Sequence, residues 1–136
     1  MLGASALLAE LGARPDWRAV VATGSWRESA RLKLRLAGLD RFELPLASAD
    51  DGMAREEIVA HGVGLANGDG PFAGVVLVGD KLWDLAAARH FGFGFVGVGP
   101  ERQRVAAEGA ARVFEDWRAT AAVLDALEEQ AGGRRA

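Results

Sequence analysis

The chain has 136 residues, half of them apolar, a formal net charge of −3 and no cysteine. That length and apolar content predict one domain able to bury a core, organised as a folded core over residues 1–131 and a disordered tail over 132–136. The near balance of charge, with arginines scattered rather than striped, argues against nucleic-acid binding. No apolar run approaches the roughly 20 residues of a membrane span. Residues 1–10 lack the basic segment that opens a signal peptide, and the absence of cysteine rules out disulfides and thiolate metal sites and agrees with a reducing cytoplasm.

Strand-like and helix-like segments alternate along the chain, which is the signature of an α/β fold with a mostly parallel sheet. A first helix is expected over residues 4–11, ended by Gly12. The run Ala19-Val20-Val21-Ala22 predicts a buried strand within residues 18–23. Gly24-Ser25 then opens a helix that closes at Gly38, with Ala30, Leu34 and Ala37 as its apolar stripe and Arg27, Arg31 and Arg35 facing solvent. A strand over 42–47, the polar turn Ser48-Ala49-Asp50-Asp51-Gly52 and a helix over 54–66 follow. The turn chemistry of Gly68-Asp69-Gly70-Pro71 predicts a loop. Beyond it come a strand over 74–78, a helix over 82–91, a glycine-spaced strand over 93–98, a short helix from Pro100-Glu101 and an edge strand over 112–114. The closing helix is expected over 117–130, with Trp117, Ala121, Leu124 and Leu127 on its core face.

The most informative segment is Val75-Val76-Leu77-Val78-Gly79-Asp80-Lys81-Leu82-Trp83-Asp84. An apolar strand runs into two carboxylates spaced i and i+4, the spacing that shares one helix face. Oxygen ligands of this kind suit Mg²⁺, which takes one or two carboxylates together with substrate phosphate. The alternative is that Asp80 only caps the following helix. Two further polar junctions fall where a ligand binds in an open parallel sheet, beyond the carboxyl ends of strands. Thr23-Gly24-Ser25 offers a hydroxyl and backbone N–H groups to a phosphate oxygen, or else a simple helix cap. Arg55 opens a helix after Asp50-Asp51, either to balance phosphate charge or as a surface residue.

Thr23-Gly24, Arg55 and Gly79-Asp80-Lys81-Leu82-Trp83-Asp84, in that order, resemble the second, third and fourth motifs of the haloacid dehalogenase-like (HAD) hydrolase superfamily, especially its phosphoglycolate-phosphatase-like branch. The likeness extends to Leu2-Gly3-Ala4, to Ala30-Arg31-Leu32-Lys33-Leu34 and to Arg55-Glu56-Glu57-Ile58, and covers nearly the whole chain up to about Trp117. The resemblance implies a three-layer, Rossmann-like core. It implies that Thr23, helped by the N–H of Gly24, binds a transferring phosphoryl group, that Arg55 neutralises its charge, that Asp80 ligates Mg²⁺ and that Asp84 supports the metal directly or through water. Thr23, Arg55 and Asp80 are thereby the candidate catalytic residues. The implied reaction is Mg²⁺-dependent hydrolysis of a phosphomonoester of a small metabolite. Lys81 departs from the pattern, since a cation beside Asp80 competes with metal unless it turns to solvent.

The larger departure is the D-x-D pair of the family, nucleophile first and general acid–base second. No D-x-D precedes Thr23, so the chain resembles the C-terminal half of a HAD hydrolase, without the central nucleophile strand or the cap. Three consequences are expected. The chain alone is inactive and holds Mg²⁺ weakly. The strands over 20–23 and 75–78 are left with unpaired edges. Those edges then pair directly, or are covered by a second copy in a homodimer or by a missing N-terminal half. Haloacid dehalogenation is a minor alternative that leaves the metal site without a use. The alternative of another class is a non-catalytic module that binds phosphate or a partner chain.

Overall fold

A computed structural model describes residues 2–67 and 72–133; the predicted loop over 68–71 and the last three residues of the predicted tail lie outside them. The described residues form an α/β fold with six α-helices and five short strands, every ladder parallel. Contacts divide the chain into two compact units, Met1–Leu7 with Phe72–Ala136, and Leu8–Pro71.

The first of these units is built on β3 (Val76–Gly79), β4 (Gly94–Val98) and β5 (Val113–Phe114), in the order β3-β4-β5. Here β4 is central and buried along its whole length. Its alternation explains how two layers of helix reach it, because successive side chains of a strand point to opposite faces. On one face Phe95 packs with Leu85 and Ala88 of α4 (Leu82–Phe91) and Val105 of α5 (Arg102–Ala107). On the other, a Cβ on Gly94 would stand 2.6 Å from the carbonyl oxygen of Gln130 in α6 (Thr120–Gly133). Within this unit the arrangement is three-layered. The expected helix over 82–91 forms with those bounds, and Gly92 ends it in the left-handed conformation at φ 69°. Gly3, at φ 87°, lies against the backbone of Trp117 and Arg118, and the Trp117 N–H donates to Leu2 O at 2.9 Å. Trp117 therefore serves a turn before α6 rather than its core face. That face is carried by Val123, Leu124, Ala126 and Leu127, while Ala121 is exposed.

The other unit pairs β1 (Val21–Ala22) with β2 (Leu46–Ala47), in the register Val21↔Leu46 and Ala22↔Ala47. Its helices are α2 (Arg27–Leu36) and α3 (Arg55–Ala66), and α1 (Ala4–Gly12) ends in it. Gly62 brings α3 close to the strands, since a Cβ there would stand 3.4 Å from Val20 and 3.6 Å from Ala47. The strand expected over 42–47 is cut to two residues by a 3₁₀ turn at Asp40–Phe42, by Glu43 in the left-handed region at φ 50°, and by Pro45. Proline has no N–H to give to a ladder. With no partner before Pro45, β1 shortens too. Its ladder goes to β2, through Val21 N–H to Pro45 O at 2.9 Å and Thr23 N–H to Ala47 O at 3.0 Å. Within their own units, and among the described residues, β1 is laddered to β2 and β3 to β4.

Candidate functional site

In the Leu8–Pro71 unit, β1 and β2 run parallel, so Thr23 and Arg55 leave at the same, carboxyl edge of the strand pair. The Thr23 hydroxyl accepts the N–H of Ser25 at 3.1 Å, a local turn. Gly24 is exposed, with open space where a side chain would stand. Neither Thr23 nor Ser25 caps α2, whose N-cap is Trp26, a residue without a capping side chain. The cap comes from a distance: Asp50 Oδ1 accepts the Arg27 N–H at 2.8 Å. Arg55 is the first residue of α3 and is half-buried. The N–H groups before it, of Met53 and Ala54, are taken by the Glu57 carboxylate at 3.3 and 2.9 Å.

Between these residues lies a network that sequence reasoning did not find. Ser48 is fully buried at the end of β2, and its N–H donates to Asp51 Oδ2 at 2.9 Å. Asp51 Oδ1 accepts from Arg27 Nη2 at 2.6 Å and has His61 Nε2 at 3.6 Å. Arg27, expected in solvent, is thus half-buried and bound, and the turn after β2 is fastened to the start of α2. The Ser48 N–H holds the Asp51 carboxyl below the ordinary aspartate range, against the opposing pull of partial burial, and Arg27 adds to the effect. A carboxyl whose folded pKa is depressed stabilises the fold above its unfolded value and loses that contribution as pH falls through the folded one. Thermal unfolding should therefore show Asp51→Asn melting below the natural chain at pH 7. The difference should shrink once pH falls below about 4, the unfolded aspartate value.

In the other unit, Asp80 follows β3 directly and is half-buried. It is not the helix cap. Lys81 holds the N-cap position of α4, and the capping carboxylate is that of Asp84, three residues on, which accepts the Lys81 N–H at 3.3 Å. Asp84 is buried, its carboxylate lying so close over Gly79 that a Cβ there would meet Oδ2 at 2.3 Å. Glycine at 79 is what lets the carboxylate fold back onto the strand end. The Asp80 carboxylate, in contrast, takes no hydrogen bond among the described residues. Lys81 does not turn to solvent; its ammonium bonds Glu101, the N-cap residue of α5 after β4. That bond raises the lysine above its ordinary value and lowers the glutamate. Among the described residues no group of three or more His, Cys, Asp or Glu side chains is placed to hold a metal. The pair Asp80 and Asp84 nevertheless fits Mg²⁺ in kind: oxygen donors, one of them half-buried without a donor among the described residues, at the carboxyl end of a parallel strand.

No family model and no curated protein matches the chain. Among solved structures, a hydrolase from Pseudomonas syringae superposes with a TM-score of 0.76 at 25% sequence identity. The chain shares its fold with a hydrolase. The match covers 92% of this chain and 61% of the other, so the chain spans less than two thirds of that neighbour. The core is accordingly a hydrolase-like, Rossmann-like α/β core with small sheets. No described helix is long and apolar enough to cross a membrane.

Proposed function

We propose that the chain is the phosphate- and metal-binding part of a HAD-type phosphomonoester hydrolase that acts in the cytoplasm on a small phosphorylated metabolite. The observation that carries this reading is the Asp80 carboxylate, without a donor among the described residues at the end of β3, with Asp84 one turn on. A fold shared with a hydrolase supports it. Mg²⁺ bound there would supply charge neutralisation for a phosphoryl oxygen. Thr23 and the Gly24 N–H would bind the phosphoryl group, Arg55 would balance its charge, and Asp84 would hold the Asp80 loop in place by accepting the Lys81 N–H.

The 136 residues contain no D-x-D, so no covalent acceptor is assigned within them, and the chain alone is expected to turn over no phosphomonoester. The test is an assay with p-nitrophenyl phosphate and Mg²⁺ of the chain alone, and of a longer product translated from the frame upstream of Met1. An upstream apolar strand ending in D-x-D, with turnover that Asp80→Asn lowers by at least about a hundredfold, supports the hydrolase. Turnover by the 136-residue chain itself, surviving purification and abolished by Asp80→Ala, would overturn the inactivity. A stop codon immediately upstream favours the second reading, a non-catalytic module binding phosphate or a partner chain.

A further inference from the structure

Lys81 places a positive charge on the residue next to Asp80, at the point where a cation would have to bind. In the strand ladder Gly79 lies opposite Gly97, which sets the ends of β3 and β4 side by side. The loops that follow carry Lys81 and Glu101, and their side chains join across that gap, each about one-third exposed. Glu101 is itself oriented from α5, with Arg104 Nη1 at 3.5 Å from its other oxygen. Asp80 is the other carboxylate whose charge acts on the lysine. An ammonium released from Glu101 therefore has the carboxylate of the adjacent residue, Asp80, to turn to.

We propose that Glu101 is a positioning residue that captures the Lys81 ammonium and keeps it off Asp80, so that the Asp80 oxygens stay open to a hard divalent cation. The inference rests on the reading of Asp80 as a cation ligand. It does not make Lys81 a participant in chemistry. A lysine beside a metal carboxylate leaves it open to a cation when its charge is held elsewhere, and here Glu101, at the start of α5 and 20 residues away, holds it. Removing Glu101 alone should let Lys81 neutralise Asp80, and removing both should restore the open site.

The probe is Mn²⁺, which prefers the same octahedral oxygen ligation as Mg²⁺, followed by water-proton relaxation on the whole chain. Glu101→Gln should weaken Mn²⁺ binding about tenfold, and Glu101→Gln with Lys81→Met should return it to the starting affinity. A purely structural role for the pair predicts the opposite for the double variant, which would be at least as weak as the single one. Unchanged binding in Glu101→Gln, or a double variant no better than it, overturns the proposal. A second arm is independent of metal: a double-mutant cycle between Lys81→Met and Asp80→Asn, read by thermal unfolding. Coupling should be weak with Glu101 present and clearly stronger in the Glu101→Gln background; equal coupling in both overturns the proposal. If Asp80→Asn leaves Mn²⁺ binding intact while the cycle behaves as stated, the cation-site reading fails and the diversion of Lys81 stands.

Discussion

Gly94→Ala should lower the stability of the chain by about 3 kcal/mol, an unusually large effect for the addition of one methyl group. Strand β4 is the central strand of its sheet, and all five of its residues are buried. The new Cβ would stand 2.6 Å from the carbonyl oxygen of Gln130 and 2.9 Å from its carbonyl carbon. These are backbone atoms of a helix, so no rotamer change can clear them. Either α6 moves off the sheet, opening the packing of Val123, Leu124, Ala126 and Leu127, or β4 shifts against both of its neighbours. Gly64→Ala is the contrasting case. That glycine lies inside α3, and a Cβ added to it would meet nothing within 4 Å, so alanine should stabilise by roughly 0.5–1 kcal/mol through helix propensity alone. Urea denaturation with equal slopes should place the two midpoints on opposite sides of the natural chain. A Gly94→Ala midpoint at the natural value would mean that α6 is not seated on β4 at this point.

The elements most legible in the sequence are those whose signals are local. The helix over 82–91 is bounded by a strand-end turn before it and Gly92 after it, and both signals act within a few residues. The edge strand at Val113–Phe114 and the order of the α/β elements are likewise readable. What is not legible depends on partners distant in the chain. The length of β1 is set by Pro45 and Glu43 on its partner segment, more than 20 residues later. The start of α2 is set by Asp50 rather than by Ser25, and periodicity cannot report a cap that arrives from another loop. Arg27 reads as solvent-facing on a helix wheel because Asp51 does not appear on that wheel. The site shows the same division. The i, i+4 spacing of Asp80 and Asp84 is visible, but their different roles follow from backbone geometry: glycine at 79 admits the Asp84 carboxylate over the strand end, where it accepts the Lys81 N–H. The capture of Lys81 by Glu101 is invisible for the reason that the pairing of Arg27 with Asp51 is.

Those roles predict that Asp80→Ala and Asp84→Ala will differ in kind, although both remove a carboxylate from the same turn. Asp84 is buried and accepts a backbone N–H at the head of α4, so its loss should leave the half-buried Lys81 N–H without its cap and cost about 1–2 kcal/mol. Asp80 is half-buried and takes no hydrogen bond among the described residues, so its removal should change the midpoint of thermal unfolding little. Cation binding should sort the pair the other way. Mg²⁺ holds its water tightly and needs near-octahedral ligation, so two carboxylates without a third partner make a weak site, and the natural chain should show only weak Mn²⁺ relaxation enhancement. Asp80→Ala should abolish it at unchanged stability. Asp84→Ala should reduce it as the loop carrying Asp80 loosens, in step with the loss of stability. Asp84→Asn separates the two contributions, because its amide oxygen can still accept the Lys81 N–H: stability should return toward the natural value. If Asp80→Ala destabilises as much as Asp84→Ala while Mn²⁺ binding survives in both, Asp80 is a structural residue of the β3–α4 turn and the metal assignment falls.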